Sequence, residues 1–226
     1  MTTSLHVYRS TYPPIMKIAV YSSKGSAGKT PISANIALDK GFCIGTNEAF
    51  HVYDNLIEEN KLIALHTEEA FPQELVDHDI DIVFDLAGSI SKLALSISSA
   101  LKMADYVVVP IYNEYKSLVA GLNTINQIKE YNQNIIVVAT KLQKQKGDIF
   151  KDDWKESEDF KNIQNAVHTK VGEGIPVLPL KFSKVFDNIF EEQKSIQQLM
   201  EGNALASYSY RDVAKQFEAI YNLICI

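Results

Sequence analysis

MKIAVYSSKGSAGKTPISANIALDKG, residues 16–41, reads as a strand, a glycine-bearing turn and a helix in immediate succession. Residues 16–21 form a short apolar run broken only by Lys17, the pattern of a buried strand. Residues 31–40 have helical spacing, with Pro31 suited to a first turn and Gly41 to a C-terminal cap. The stretch between them, SSKGSAGKT over 22–30, has the composition of a phosphate-binding loop. Gly25 and Gly28 let the main chain curl so that its N–H groups face one anion, and the helix start adds partial positive charge there. Lys29 is suited to pair with β- and γ-phosphate oxygens, and the Thr30 hydroxyl to ligate Mg²⁺. The pattern GxxxxGK[ST] is met except at its first glycine, where Ser23 stands.

Working outward, apolar runs alternate with helical patterns, which predicts parallel strands joined by crossover helices. Further strands are expected over 42–46, 62–65, 80–86, 105–111, 134–140 and 175–180. Helices are expected over about 89–103, 118–131, 190–199 and 208–223. Residues 141–160 are charged and read as a solvated loop and helix face. The fold class is therefore α/β, a mostly parallel twisted sheet flanked by helices. An extension over 1–15, closed by Pro13 and Pro14, precedes a single domain over 16–226.

A phosphate loop needs an acid at the end of a neighbouring strand to hold Mg²⁺. IDIVFDLAG, 80–88, supplies Asp85 at a strand end and Gly88 just after it, while Asp79 and Asp81 are expected to be solvated. The two cysteines, Cys43 and Cys225, form neither a zinc spacing nor a disulfide framework and read as reduced buried thiols of a cytoplasmic protein. No apolar run reaches the ~18 residues of a membrane span, and the N-terminus lacks a secretory leader's apolar stretch. A net charge of −6 means that any nucleic-acid contact requires a local basic patch.

KGSAGKT, 24–30, resembles the deviant Walker A motif of the ParA/MinD superfamily, usually KGGxGKT. Ser26 stands at that motif's second glycine and Pro31 at its second Thr. ADYVVVPIYNEYKSLVAGLNTINQI (104–128) and IPVLPLKFSKVFDNIFEEQKSI (175–196) resemble later segments of the same family, so the likeness covers most of 16–200 in order. The resemblance implies a P-loop ATPase fold that binds ATP, ADP and Mg²⁺. It gives Lys24, Gly25, Ser26, Ala27, Gly28, Lys29 and Thr30 to the phosphates, with Lys24 reaching across a homodimer. It also gives Thr30 and Asp85 to the metal, Gly88 to the γ-phosphate, and Pro179, Leu180 and Phe182 to the adenine. Thr140 and Lys141 are further base-side candidates. Lys24, Lys29 and Asp85 are the expected catalytic set.

The family's D-x-D-P motif, which orients the attacking water, is missing from GFCIGTNEAFHVYDN, 41–55. Asn47, Glu48 and Asp54 are the possible stand-ins, and slow hydrolysis is expected. By resemblance to short plasmid-partition ParA proteins, the ATP dimer would bind nonspecific DNA and answer to a ParB-type partner. Lys141, Lys144, Lys146, Lys181, Lys184, Lys194, Arg211 and Lys215 are the available cations. Two alternatives stay open: a MinD-like membrane switch using 211–226, and a small-molecule ligase of the dethiobiotin synthetase type. The amphipathic 211–226 stretch has only two basic residues and reads better as a docked core helix.

Overall fold

A computed structural model describes residues 15–88, 94–224 and 226. The extension expected over 1–15 therefore falls almost wholly outside the described residues, as do Cys225 and the start of the helix expected from 89. The strands are β1 (Lys17–Val20), β2 (Cys43–Thr46), β3 (Leu62–Ala64), β4 (Ile82–Asp85), β5 (Tyr106–Tyr112), β6 (Ile135–Leu142) and β7 (Val177–Lys181). They form one sheet in the order β3-β2-β4-β1-β5-β6-β7, and every neighbouring pair is parallel.

The helices are α1 (Lys29–Lys40), α2 (Glu74–Asp77), α3 (Leu95–Met103), α4 (Tyr115–Ile128), α5 (Glu158–Lys170), α6 (Val185–Glu192), α7 (Ile196–Met200) and α8 (Ala204–Ile224). They cover both faces of the sheet, as a parallel sheet with buried strands requires. β1 shows the division at the period of two: Ile18 and Val20 pack with α1, α6, α7 and α8, while Ala19 and Tyr21 pack with α3, α4 and α5. Val213, Phe217, Ile220, Tyr221 and Ile224 of α8 are all buried, so the apolar side of 211–226 belongs to the core.

Two expectations need correction. The helix expected over 190–199 is two helices. Gln193 takes a left-handed conformation (φ 54°) that ends α6, and Ser195 starts α7 with a capping box closed by Gln198. The S-x-x-Q signal of that box was present in the sequence. Asp81, expected to be solvated, accepts a 2.7 Å hydrogen bond from the Met16 N–H, and Asp105 does the same for Lys17 at 2.8 Å. These two acids tie down the entry of β1 from its neighbouring strands. Within the charged 141–160 stretch Asp148 is buried, and its bond from the Lys151 ammonium holds its carboxyl below the ordinary carboxylate range.

Candidate functional site

The chain passes from β1 into α1 at the C-terminal edge of the sheet, with β4 on one side of β1 and β5 on the other. Open parallel sheets place ligands at such an edge, where successive connections leave in opposite directions. The left-handed turns of the loop fall on Ser26 (φ 58°) and Gly28 (φ 100°), and Gly25 does not share them. Ser26 therefore adopts the conformation that the family's glycine would adopt freely, at a cost of roughly 1 kcal/mol. Gly28 precedes α1 directly, leaving the first N–H groups of that helix free to face an anion.

Neighbouring elements hold the loop in place. The Thr140 hydroxyl at the end of β6 donates to the Ala27 carbonyl at 2.9 Å, and its methyl group lies where a Cβ on residue 28 would make contact. Ser23, the departure from the phosphate-loop pattern, is tied to α4. Its N–H donates to the Thr124 Oγ1 at 3.2 Å, and the two hydroxyls lie 2.8 Å apart. The residue next to Lys24 is thus anchored, while Lys24 itself is half-buried and in no ion pair among the described residues. Lys29 is 7% exposed at the helix start.

Asp85 ends β4 alongside Val20 of β1, and it is 1% exposed. Burial pushes its carboxyl above the ordinary range, against the pull of the nearby Tyr53 and Thr30 hydroxyls and the charge of Lys29. Its Oδ2 accepts from the Tyr53 hydroxyl at 2.8 Å, and its Oδ1 is buried with no partner among the described residues. Thr30, Lys29 and Asp85 are therefore neighbours. A buried carboxylate oxygen without a donor, beside a threonine hydroxyl, suits a hard cation, whose other ligands would be phosphate and water oxygens. Gly88 approaches the loop so closely that a Cβ there would lie 3.2 Å from the carbonyl oxygens of Ser22 and Ser23.

On the base side, Gly28, Pro31, Thr140, Lys141, Leu180, Phe182 and Phe186 line a cleft of about 160 Å³. Leu180 and Phe182, two of the residues expected at the adenine, line it. Pro179 does not: it alternates with Leu180 along β7, pairs with Ala139 and lies buried on the sheet's other face.

The three possible stand-ins for the missing acid pair separate clearly. Asn47 is committed, donating to the Ser96 hydroxyl at 2.8 Å and accepting from the Ala87 N–H at 2.7 Å. Asp54 is exposed and faces His51 at 3.7 Å. Glu48 is half-buried just past the end of β2, and its charge acts on both Asp85 and Tyr53. Sequence reasoning missed Tyr53 altogether. It shares the 47–55 stretch with another aromatic, Phe50, and local pattern does not set it apart.

The cations divide as well. Lys181 pairs with Asp212 at 3.7 Å, Lys144 donates to the Lys151 carbonyl, and Lys141 lies over the Tyr112 ring. Arg211 and Lys215 of α8 share a cleft with Lys40 of α1, together with Asp39 and Glu218.

No family model matches the chain, and no curated protein matches it either. Solved structures do. McdA of Cyanothece, as a point variant in complex with ATP, aligns over 95% of this chain and 98% of its own, with a TM-score of 0.66 at 13% identity. The septum site-determining protein MinD of Pyrococcus horikoshii, complexed with Mg-ADP, aligns over 93% and 98%, with a TM-score of 0.56 at 12% identity. A protein ascribed to plasmid partition in Borrelia burgdorferi, bound to AMPPNP, aligns over 91% and 99%, with a TM-score of 0.50 at 14% identity. The likeness is one of fold: with its all-parallel seven-stranded sheet, this chain has the fold of the ParA/MinD P-loop proteins.

Proposed function

We propose that this chain is a nucleotide switch of the ParA/MinD type: an ATPase that pairs as a homodimer on binding ATP and Mg²⁺ and is reset by slow hydrolysis. The observation that carries this reading is the convergence of Lys29, Thr30 and the half-satisfied Asp85 beneath a loop that also bears Lys24. Bound ATP would supply the γ-phosphoryl group, and Mg²⁺ would neutralise its charge.

Lys29 and the free N–H groups of the loop bind the phosphates, and Gly88 lets the β4 end approach them. Thr30 and the free oxygen of Asp85 hold the metal, and Leu180 and Phe182 offer an apolar wall to the adenine. Lys24 reaches the partner subunit's nucleotide, its backbone steadied by the bond between Ser23 and Thr124. Glu48 orients the attacking water, since Asn47 is already committed and Asp54 points to solvent. A single acid in place of the family's pair fits slow turnover.

The dimer would act in the partition of DNA in the cytoplasm, on the nucleoid, with a ParB-type partner stimulating hydrolysis. Lys40, Arg211 and Lys215 share one cleft with Asp39 and Glu218 and offer cations to phosphates, and the burial of α8's apolar side favours DNA over a membrane. The test is binding to nonspecific duplex DNA at two salt concentrations, with ADP and with a slowly hydrolysed ATP analogue. Binding that requires the ATP analogue and weakens steeply with salt is expected. Binding indifferent to nucleotide, or absent with both, contradicts the reading.

A further inference from the structure

Tyr53 lies in the segment joining β2 to β3, where this chain departs most from the sequence family it resembles, yet it is completely buried. Its ring sits in the core layer beneath α1, and its hydroxyl donates to Asp85 Oδ2 at 2.8 Å. The main chain at the same position is gripped separately, because the Thr46 hydroxyl donates to the Asp85 carbonyl at 3.0 Å. The end of β4 is therefore fixed twice from the β2 side, once through its carbonyl and once through its carboxylate.

A carboxylate held only by its backbone can rotate and present either oxygen. Here one oxygen is occupied by a donor on a ring that the core holds still, and the other is left buried without a donor among the described residues. That asymmetry has a direct chemical use. A hydroxyl donating to Oδ2 fixes the carboxylate and leaves Oδ1 as the oxygen open to a cation. A buried carboxylate oxygen left without a donor is costly unless something else, such as a cation, takes it up.

From this geometry we infer that Tyr53 is a positioning residue for the metal: its hydroxyl orients Asp85 so that the free Oδ1 can ligate Mg²⁺ beside Thr30. The inference rests on the nucleotide-and-Mg²⁺ reading above and assigns a role to a side chain outside the phosphate loop and the strand-end acid. Tyr53 contacts neither metal nor nucleotide in this account and acts only through Asp85.

The test is ADP binding by calorimetry, with Mg²⁺ and with a chelator in its place, for the wild type, Tyr53→Phe, Asp85→Ala and the double variant. Tyr53→Phe keeps the ring and removes one oxygen. It is expected to reduce the Mg²⁺-dependent gain in ADP affinity about tenfold while leaving metal-free ADP affinity unchanged. In the Asp85→Ala background the same substitution should change nothing further, because its route to the metal is gone. Mn²⁺ affinity of the ADP complex, read by electron paramagnetic resonance, should fall in parallel. A full Mg²⁺ gain in Tyr53→Phe overturns the inference, and so does an equal loss of ADP affinity with and without metal. A wild type whose ADP affinity ignores Mg²⁺ overturns the nucleotide reading itself, an outcome distinct from the other two.

Discussion

Two strand ends meet at the site, and they were built by different rules. At the end of β4, an acid and a glycine follow an apolar run, and Asp85 lies alongside β1 while Gly88 lies against the 22–30 loop. At the end of β2, no recognisable motif survives. There the residues Thr46, Asn47, Glu48 and Tyr53 nevertheless reach the same Asp85 and its neighbours through hydrogen bonds and charge. The contrast shows that a site can keep one wall as a written motif while the facing wall is rebuilt from side chains with no fixed spacing.

The comparison can be broken first on the motif side. Lys29→Ala removes a buried ammonium from the helix start and should weaken ATP binding at least about 100-fold, roughly 3 kcal/mol, in equilibrium titration. Unchanged affinity would mean that the loop is not the phosphate site. On the rebuilt side, Glu48→Gln should slow hydrolysis about 100-fold while leaving ATP affinity alone. Turnover equal to wild type would return the water-orienting role to an unknown group.

Smaller effects sharpen the same contrast. Asn47→Ala strands the Ala87 N–H and removes a donor from the Ser96 hydroxyl, which keeps its bond to the Thr67 carbonyl, and should cost about 2 kcal/mol, a fall in Tm of about 5 °C. A Tm within a degree of wild type would mean that Asn47 does not hold the two strand ends together. Ser26→Gly relieves a left-handed serine at φ 58° and should stabilise by less than about 1 kcal/mol, because glycine's freedom in the unfolded chain offsets part of the relief. A clear loss of stability would show that the Ser26 side chain contributes something beyond the turn.

The sheet was legible because its inner parallel strands are buried on both faces and so appear as apolar runs, as in residues 106–111 and 135–139. Lys29 and Thr30 were legible because a phosphate loop is contiguous and spacing records it, and Asp85 because it ends an apolar strand run. Tyr53 was not. It meets Asp85 across 32 positions, and the meeting depends on β4 sitting between β1 and β2, a matter of strand order that local pattern cannot give. Pro179 went wrong for a simpler reason: Pro179, Leu180 and Phe182 were read as a group, and the pleat sends Pro179 away from Leu180. The break between α6 and α7 was legible in principle, through Ser195 and Gln198, but apolar spacing through 190–199 masked it.

The central claim is that ATP joins two copies of this chain through the loop bearing Lys24. Static light scattering in Mg²⁺, with ADP and then with a slowly hydrolysed ATP analogue, tests it most directly. The account predicts the mass of one 25.3 kDa chain with ADP, twice that mass with the analogue, and no doubling in Lys24→Ala. A single-chain mass in both states, or a doubling that survives the loss of Lys24, would contradict it.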